Sequence, residues 1–176
     1  MIKGKAFYVF WYISALILPF TMLPKPISAQ GDAMIIPGVG VGVLKLGEHV
    51  DDILKKIGHS DVQQWRTTQV QIEKKIVKMM WLSLEELGMS LGFDYDNKKL
   101  EKILVSTKAL LVQNTSLRIG MAEKEVKKFL GPPQISESRE FIDYPQLGVK
   151  FYIDLNDHTV RTIEVYEKAT KKIRIP

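Results

Sequence analysis

Leu44-Lys45-Leu46-Gly47 leads into a helical pattern that stops at Ile57-Gly58, and Leu117-Arg118-Ile119-Gly120 leads into another that stops at Leu130-Gly131. In both places the two glycines stand eleven residues apart. A second matching pair follows each. Leu87-Gly88-Met89-Ser90-Leu91 corresponds to Leu147-Gly148-Val149-Lys150-Phe151, and Ile103-Leu104-Val105 to Ile163-Glu164-Val165. The offset between copies is 73 residues at the helices and 60 at the strands, so the first copy carries thirteen more residues between them. The expectation is an α+β fold. It would be a tandem duplication of a strand–helix–three-strand unit, with an antiparallel sheet and the helices packed on one face. The expected organisation is residues 1–29 as a signal peptide or N-terminal anchor, 30–111 and 112–167 as two α/β repeats, and 168–176 as a basic C-terminal tail.

Each helix is written in the spacing of its apolar residues. Val50, Ile53, Leu54 and Ile57 recur at i, i+3, i+4 and i+7, which makes one stripe on a 3.6-residue period. Val126, Phe129 and Leu130 are expected to face inward in the second copy. Acids lead both helices (Asp51, Asp52; Glu123, Glu125) and lysines close them, as the helix dipole favours. Gly58 and Gly131-Pro132-Pro133 are stop signals.

The later segments alternate with period two. Met89, Leu91 and Phe93 alternate with Ser90, Gly92 and Asp94, and Val149, Phe151 and Ile153 with Lys150, Tyr152 and Asp154. That is the pattern of strands with one buried and one wet face. Asp94-Tyr95-Asp96-Asn97 and Asp154-Leu155-Asn156-Asp157 supply hairpin turns. The Asp61–Lys78 stretch reads as a strand or hairpin, with Glu73-Lys74-Lys75 as its turn. The glycine-rich run Ile35–Val43 has neither a Gly-Lys-Ser/Thr ending nor GxGxxG spacing, so it is no phosphate loop. It reads as a short extended lead-in with Val39, Val41 and Val43 on one face.

Composition narrows the class of job. The chain has 176 residues, enough for a sizeable core, and no cysteine, which excludes disulfides, thiolate metal sites and thiol nucleophiles. Three charges of the formal +5 lie in the N-terminal segment (Lys3, Lys5, Lys25), leaving about +2, too little for a nucleic-acid footprint. Lys3 and Lys5 precede an apolar run from Ala6 to Leu23, then Pro24-Lys25-Pro26 and a small Ala29. This is the layout of a secretory signal. An uncleaved anchor is the alternative, since about eighteen apolar residues lies at the lower limit for a membrane span. Either way a periplasmic or secreted location is expected, or tethering to the inner membrane.

The repeat resembles the small α/β modules of bacterial envelope proteins. It is similar to the outer-membrane assembly lipoprotein family (SmpA/OmlA, also called BamE) and to the tandem-repeat β-lactamase inhibitory protein family. The carriers are the Leu-x-Ile/Leu-Gly lead-in, the helix ending in Leu/Ile-Gly and the meander of strands after it, roughly Val43 to Glu167. The resemblance implies a protein-binding role in the envelope without catalysis. The chain departs from both families in having no cysteine, so no functional residue carries over.

No catalytic or metal-binding pattern emerges. His49, His59 and His158 have no metal-ligand spacing, and Asp94-Asp96-Asn97 lacks the glycine and glutamate of a calcium loop. There is no Gly-x-Ser-x-Gly elbow. No cofactor is expected. Trp81, equivalent to Phe141, is expected in the core; Trp65 has no counterpart and is a candidate exposed anchor. The wet sheet face should carry Lys150, Tyr152, Thr162, Glu164 and Tyr166, with Ser90, Lys102 and Leu104. The candidate partner-binding residues are thus Trp65, Lys150, Tyr152, Glu164 and Tyr166. The partner would be an envelope or secreted protein, with a hydrolase using unpaired acids or a membrane-tethered structural protein as the alternatives.

Overall fold

Alternating apolar residues can bury only one side of a strand, and here six such strands line up side by side with a seventh, more polar one at the edge. The computed structural model describes residues 34–58, 64–72, 75–134 and 139–169. Three two-residue strands come first: β1 (Ile35–Ile36), β2 (Gly40–Val41) and β3 (Leu44–Lys45). Helix α1 (Val50–Ile57) is followed by β4 (Gln64–Ile72), β5 (Lys75–Leu84), a 3-10 turn at Glu85–Leu87, β6 (Met89–Asp94) and β7 (Leu100–Val105). Helix α2 (Glu123–Leu130) is followed by β8 (Phe141–Tyr144), β9 (Val149–Ile153) and β10 (Val160–Tyr166). The fold is α+β. The large sheet is antiparallel throughout, in the order β4-β5-β6-β7-β10-β9-β8, and is continuous across its centre, where β7 pairs with β10. The small sheet has the order β1-β2-β3.

Register sets the two faces. Leu82, Leu91, Ile103, Val165, Val149 and Tyr144 stand opposite one another across six strands and share one face. The next inward row is Leu84, Met89, Val105, Ile163, Phe151 and Ile142. Ile53 of α1 and Val126 of α2, both fully buried, belong to the same core, which therefore lies on the helix side. Each such side chain contributes about 1.5–3 kcal/mol of burial.

Each helix is hung on a hairpin by its first turn. Gly47 N–H donates to Leu100 O and Val50 N–H to Lys98 O; Gly120 N–H donates to Val160 O and Glu123 N–H to His158 O. Lys98 and His158, at the ends of the two Asp/Asn turns, both take left-handed φ, 59° and 57°. Asp94 Oδ1 accepts from the Asp96 and Asn97 N–H groups, and Asp154 Oδ1 from Asn156 N–H. The register slips at Gly92/Phe93 in one half of the sheet and at Val160/Thr162 in the other.

Several expectations are corrected. The glycine-rich run is not one extended lead-in: Gly38 and Gly42 take φ of 68° and 56°, so the chain doubles back into the three-stranded sheet. Val41 is buried, whereas Val39 and Val43 are exposed. Phe129 is 52% exposed, because an eight-residue helix has room for only one narrow stripe and Val126 occupies it. Trp81 is not in the core: its register partners Arg66 and Gly92 place it on the side away from the helices. The basic tail is expected to fray, but at its start Lys168 lies against Gly38 and Ala169 N–H donates to Pro145 O. The Asp61–Lys78 stretch does contain a hairpin strand, closed by the Ile72–Lys75 pair. The N-terminal segment, His59, Glu73, Lys74 and the tail beyond Ala169 lie outside the described residues.

Candidate functional site

The helix-free face of the sheet is where charge is buried. Among the described residues, the buried charged side chains are Asp143, 7% exposed, and Glu164, 3% exposed. Both lie in the row Ser83, Ser90, Leu104, Glu164, Lys150, Asp143, which crosses β5 to β8 on the outer side. Among the described residues no helix shields them. What covers them is the long side chains of their neighbours.

Two triads of like composition result, each with one carboxylate, one lysine and one tyrosine. In the first, Glu164 Oε2 accepts from the Tyr152 hydroxyl at 2.6 Å and Oε1 meets Lys102 Nζ at 3.0 Å. In the second, Asp143 Oδ1 accepts from the Tyr166 hydroxyl and Oδ2 meets Lys150 Nζ at 3.4 Å. The Lys150 ammonium also lies 4.8 Å from the Phe141 ring centroid and 5.8 Å from that of Tyr166. An unpaired carboxylate so deeply covered would be costly, and here each is satisfied by a cation and a hydroxyl.

The strands explain how the groups meet. Lys150 stands directly between Glu164 and Asp143 in the ladder, and Tyr152, two residues on, is paired with Thr162 and Phe141. Further along the face, Trp81 lies over Gly92, where a Cβ would come within 2.9 Å of its ring, and its indole N–H donates to Thr68 Oγ1 at 2.9 Å.

The chemistry of the network is that of a fixed surface. Burial, then the Glu164 carboxylate, pushes the Tyr152 hydroxyl well above the usual tyrosine range. Burial and the Asp143 carboxylate do the same to Tyr166. A phenol held protonated is the opposite of an activated nucleophile or general base. Among the described residues no group of three or more His, Asp or Glu side chains is placed to hold a metal. A shallow depression of about 400 Å³ lies elsewhere, between α2 and the Asp154–Asp157 turn, lined by Ala122, Glu123, Lys124, Lys127, Asp157 and His158.

Of the sequence-derived candidates, Lys150, Tyr152, Glu164 and Tyr166 come together in the two triads. Trp65 does not join them. It is paired with Leu82, so it lies on the helix side, 42% exposed, with its ring centroid 6.0 Å from that of Phe93. Asp143 and Phe141 were missed. A signal existed: Phe141 and Asp143 alternate with Ile142 and Tyr144, and the charge on Asp143 marks their shared side as the wet one, against the expectation that Phe141, like Trp81, faces the core; only the hairpin register was needed to pair Asp143 with Lys150.

Among the described residues no helix is long and apolar enough to cross a membrane. No family model and no curated protein matches the chain. Solved structures that are similar in part include the following two. The uncharacterized protein yfeY of Escherichia coli matches at a TM-score of 0.49 and 11% identity, over 77% of this chain and 100% of that one. An extracellular protein containing a SCP domain from Bacillus anthracis matches at 0.46 and 13% identity, over 69% of this chain and 44% of that one. At such scores neither likeness bears on what this chain does.

Proposed function

We propose that the chain is an exported, non-enzymatic module of the bacterial cell envelope that binds another envelope or secreted protein through the outer face of its large sheet. The observation that carries this reading is the pair of Tyr–carboxylate–Lys triads on the helix-free face. A face meant only for water has no need to hold two carboxylates under its own lysines and tyrosines. A surface of tyrosine rings and cations with fixed rotamers loses little conformational entropy on binding, and tyrosine is enriched at protein interfaces. The raised phenol pKa values favour recognition over proton transfer.

The architecture is part of the proposal: a tandem duplication, residues 30–111 and 112–167, after a signal peptide or anchor at 1–29 and before a basic tail at 168–176. In its support, the 60-residue offset carries one set of strand pairings onto the other. Ser83–Ser90 maps to Asp143–Lys150, Leu91–Ile103 to Phe151–Ile163, and the Gly92/Phe93 slip to the Val160/Thr162 slip. On this reading the repeat is the BamE-like unit of the envelope modules it resembles.

The test is photocrosslinking in the intact envelope from a probe at Thr162, on the outer face, and from a second at Phe129, on the helix side. The expected result is a heterologous protein adduct from residue 162, lost when Lys150→Glu and Tyr152→Ala are introduced together, and none from 129. Adducts from 129 alone would overturn the assignment of the face. Heterologous adducts from neither would overturn the binding module.

A further inference from the structure

The outer-face triads leave β4 without a role. It is an outermost strand of the large sheet and pairs with β5 over nine consecutive residue pairs, Gln64–Ser83 to Ile72–Lys75, without a bulge. Among the described residues no strand pairs with its other side. The opposite edge differs: β8 has four residues, and Gln134 N–H donates from outside to its Asp143 carbonyl at 3.2 Å. Soluble proteins blunt open edges with prolines, lysines, bulges or shortness. β4 has none of these. It contains no proline or glycine, its one charge is Arg66, and residues 65–69 are all exposed. Alternate residues of an antiparallel edge strand turn their N–H and C=O outward, and an unblunted edge nine residues long is one built to be paired.

We propose that β4 pairs with β4 of a second copy of this chain, antiparallel about a two-fold axis at Thr68, to make one continuous sheet across the dimer. Directly opposed residues share a face and successive residues alternate, so a two-fold antiparallel pair must set one residue opposite its own copy. Thr68 is the middle of the nine, and an axis there pairs every residue of the strand. An axis at Arg66 would oppose two guanidinium groups, which is destabilising. With the axis at Thr68, Arg66 faces Val70 of the second copy, and the two guanidinium-bearing positions stand about 14 Å apart, beyond a screening length of about 8–10 Å.

The chemistry at the axis is complementary to itself. The Thr68 hydroxyl accepts the Trp81 indole N–H and keeps its own proton, so paired threonines can bond across the axis. The short, covered β8 edge stops growth at two copies, as closed symmetry requires. The inference does not rest on the outer-face reading, because Asp143, Lys150 and Glu164 lie on β8, β9 and β10, at the other end of the sheet.

The chain has no cysteine, so single cysteines report cleanly. The experiment uses the full chain, purified as the cell delivers it. Thr68→Cys should form an intermolecular disulfide under mild oxidation, because directly opposed residues have Cα atoms about 4.5–5.5 Å apart, within disulfide reach. Thr67→Cys and Gln69→Cys should each link poorly alone and link to each other when mixed. In sedimentation, the unmodified chain should show the doubled mass. Thr68→Lys and Thr68→Glu should each lose the dimer, and their mixture should regain it, which separates the interface from misfolding. A monomer at about 100 µM with no Thr68→Cys disulfide would overturn the proposal. So would dimers persisting in both charge variants, or a Thr68→Cys disulfide to a different protein.

Discussion

Tyr152→Phe removes one oxygen and tests whether the outer network is structural or decorative. The hydroxyl donates to Glu164 Oε2 at 2.6 Å, and Glu164 is 3% exposed, so water cannot readily take the vacated position. A hydrogen bond to a charged group contributes about 1.5–3 kcal/mol, and leaving a buried acceptor unsatisfied costs a similar amount. Lys102 still holds Oε1 at 3.0 Å, but its side chain is 39% exposed and screened by solvent, so it makes up only part of the loss. The expected cost is therefore about 2 kcal/mol. Glu164→Gln keeps an acceptor for the phenol and loses the ion pair, so it should cost about 1 kcal/mol. The two sites share a bond, so the double variant should fall short of additivity by about 1 kcal/mol. Urea unfolding followed by circular dichroism measures all four corners of the cycle, with the midpoint moving and the slope constant. Additive effects, or a Tyr152→Phe cost below about 0.5 kcal/mol, would refute the claim that this face holds a coupled network.

Tyr152 and Tyr166 have folded-state pKa values raised above their unfolded ones, so their protonated form stabilises the fold fully below the unfolded tyrosine pKa. That stability declines as pH rises through about 10 toward the folded values. Phenolate absorbance should show both silent until the protein unfolds in alkali, and the Tyr152→Phe, Tyr166→Phe double variant should flatten the loss of stability above about pH 10; two phenolates forming near pH 10 in folded protein would contradict this. Gly148→Ala should be more damaging than Gly92→Ala. At Gly148, φ is 71° and a Cβ would meet the Tyr166 carbonyl oxygen at 2.3 Å and Gly38 Cα at 2.6 Å, all backbone, whereas at Gly92 it meets the movable Trp81 and Met79 side chains. Thermal melts should separate them, with Gly92→Ala costing about 1 kcal/mol and Gly148→Ala about 3 kcal/mol or more; equal costs would refute the packing argument.

Much of this protein was legible in the residues alone. Period two in Met89–Phe93 and Val149–Ile153, the glycine stops and the Asp/Asn turns state their local structure directly, because a 3.6-residue or two-residue period decides which side of an element can be apolar. The same alternation placed Lys150, Tyr152, Glu164 and Tyr166 on one face without knowledge of any neighbour. Where reading failed, it failed on quantities that are not local. The glycine-rich run alternates like a strand, yet Gly38 and Gly42 adopt left-handed turns because Ile35 is drawn into pairing with Val112, 77 positions along the chain. Phe129 and Trp65 look like anchors of a core or a surface until packing decides how wide each buried stripe is. Trp81 left the core because the bond ladder of a sheet sets facing by register, and register comes from the partner strand. That Asp143 lies beneath Lys150, that β7 and β10 join two halves into one sheet, and that β4 ends it with an open edge are decisions of tertiary structure, since each depends on which strand lies next to which.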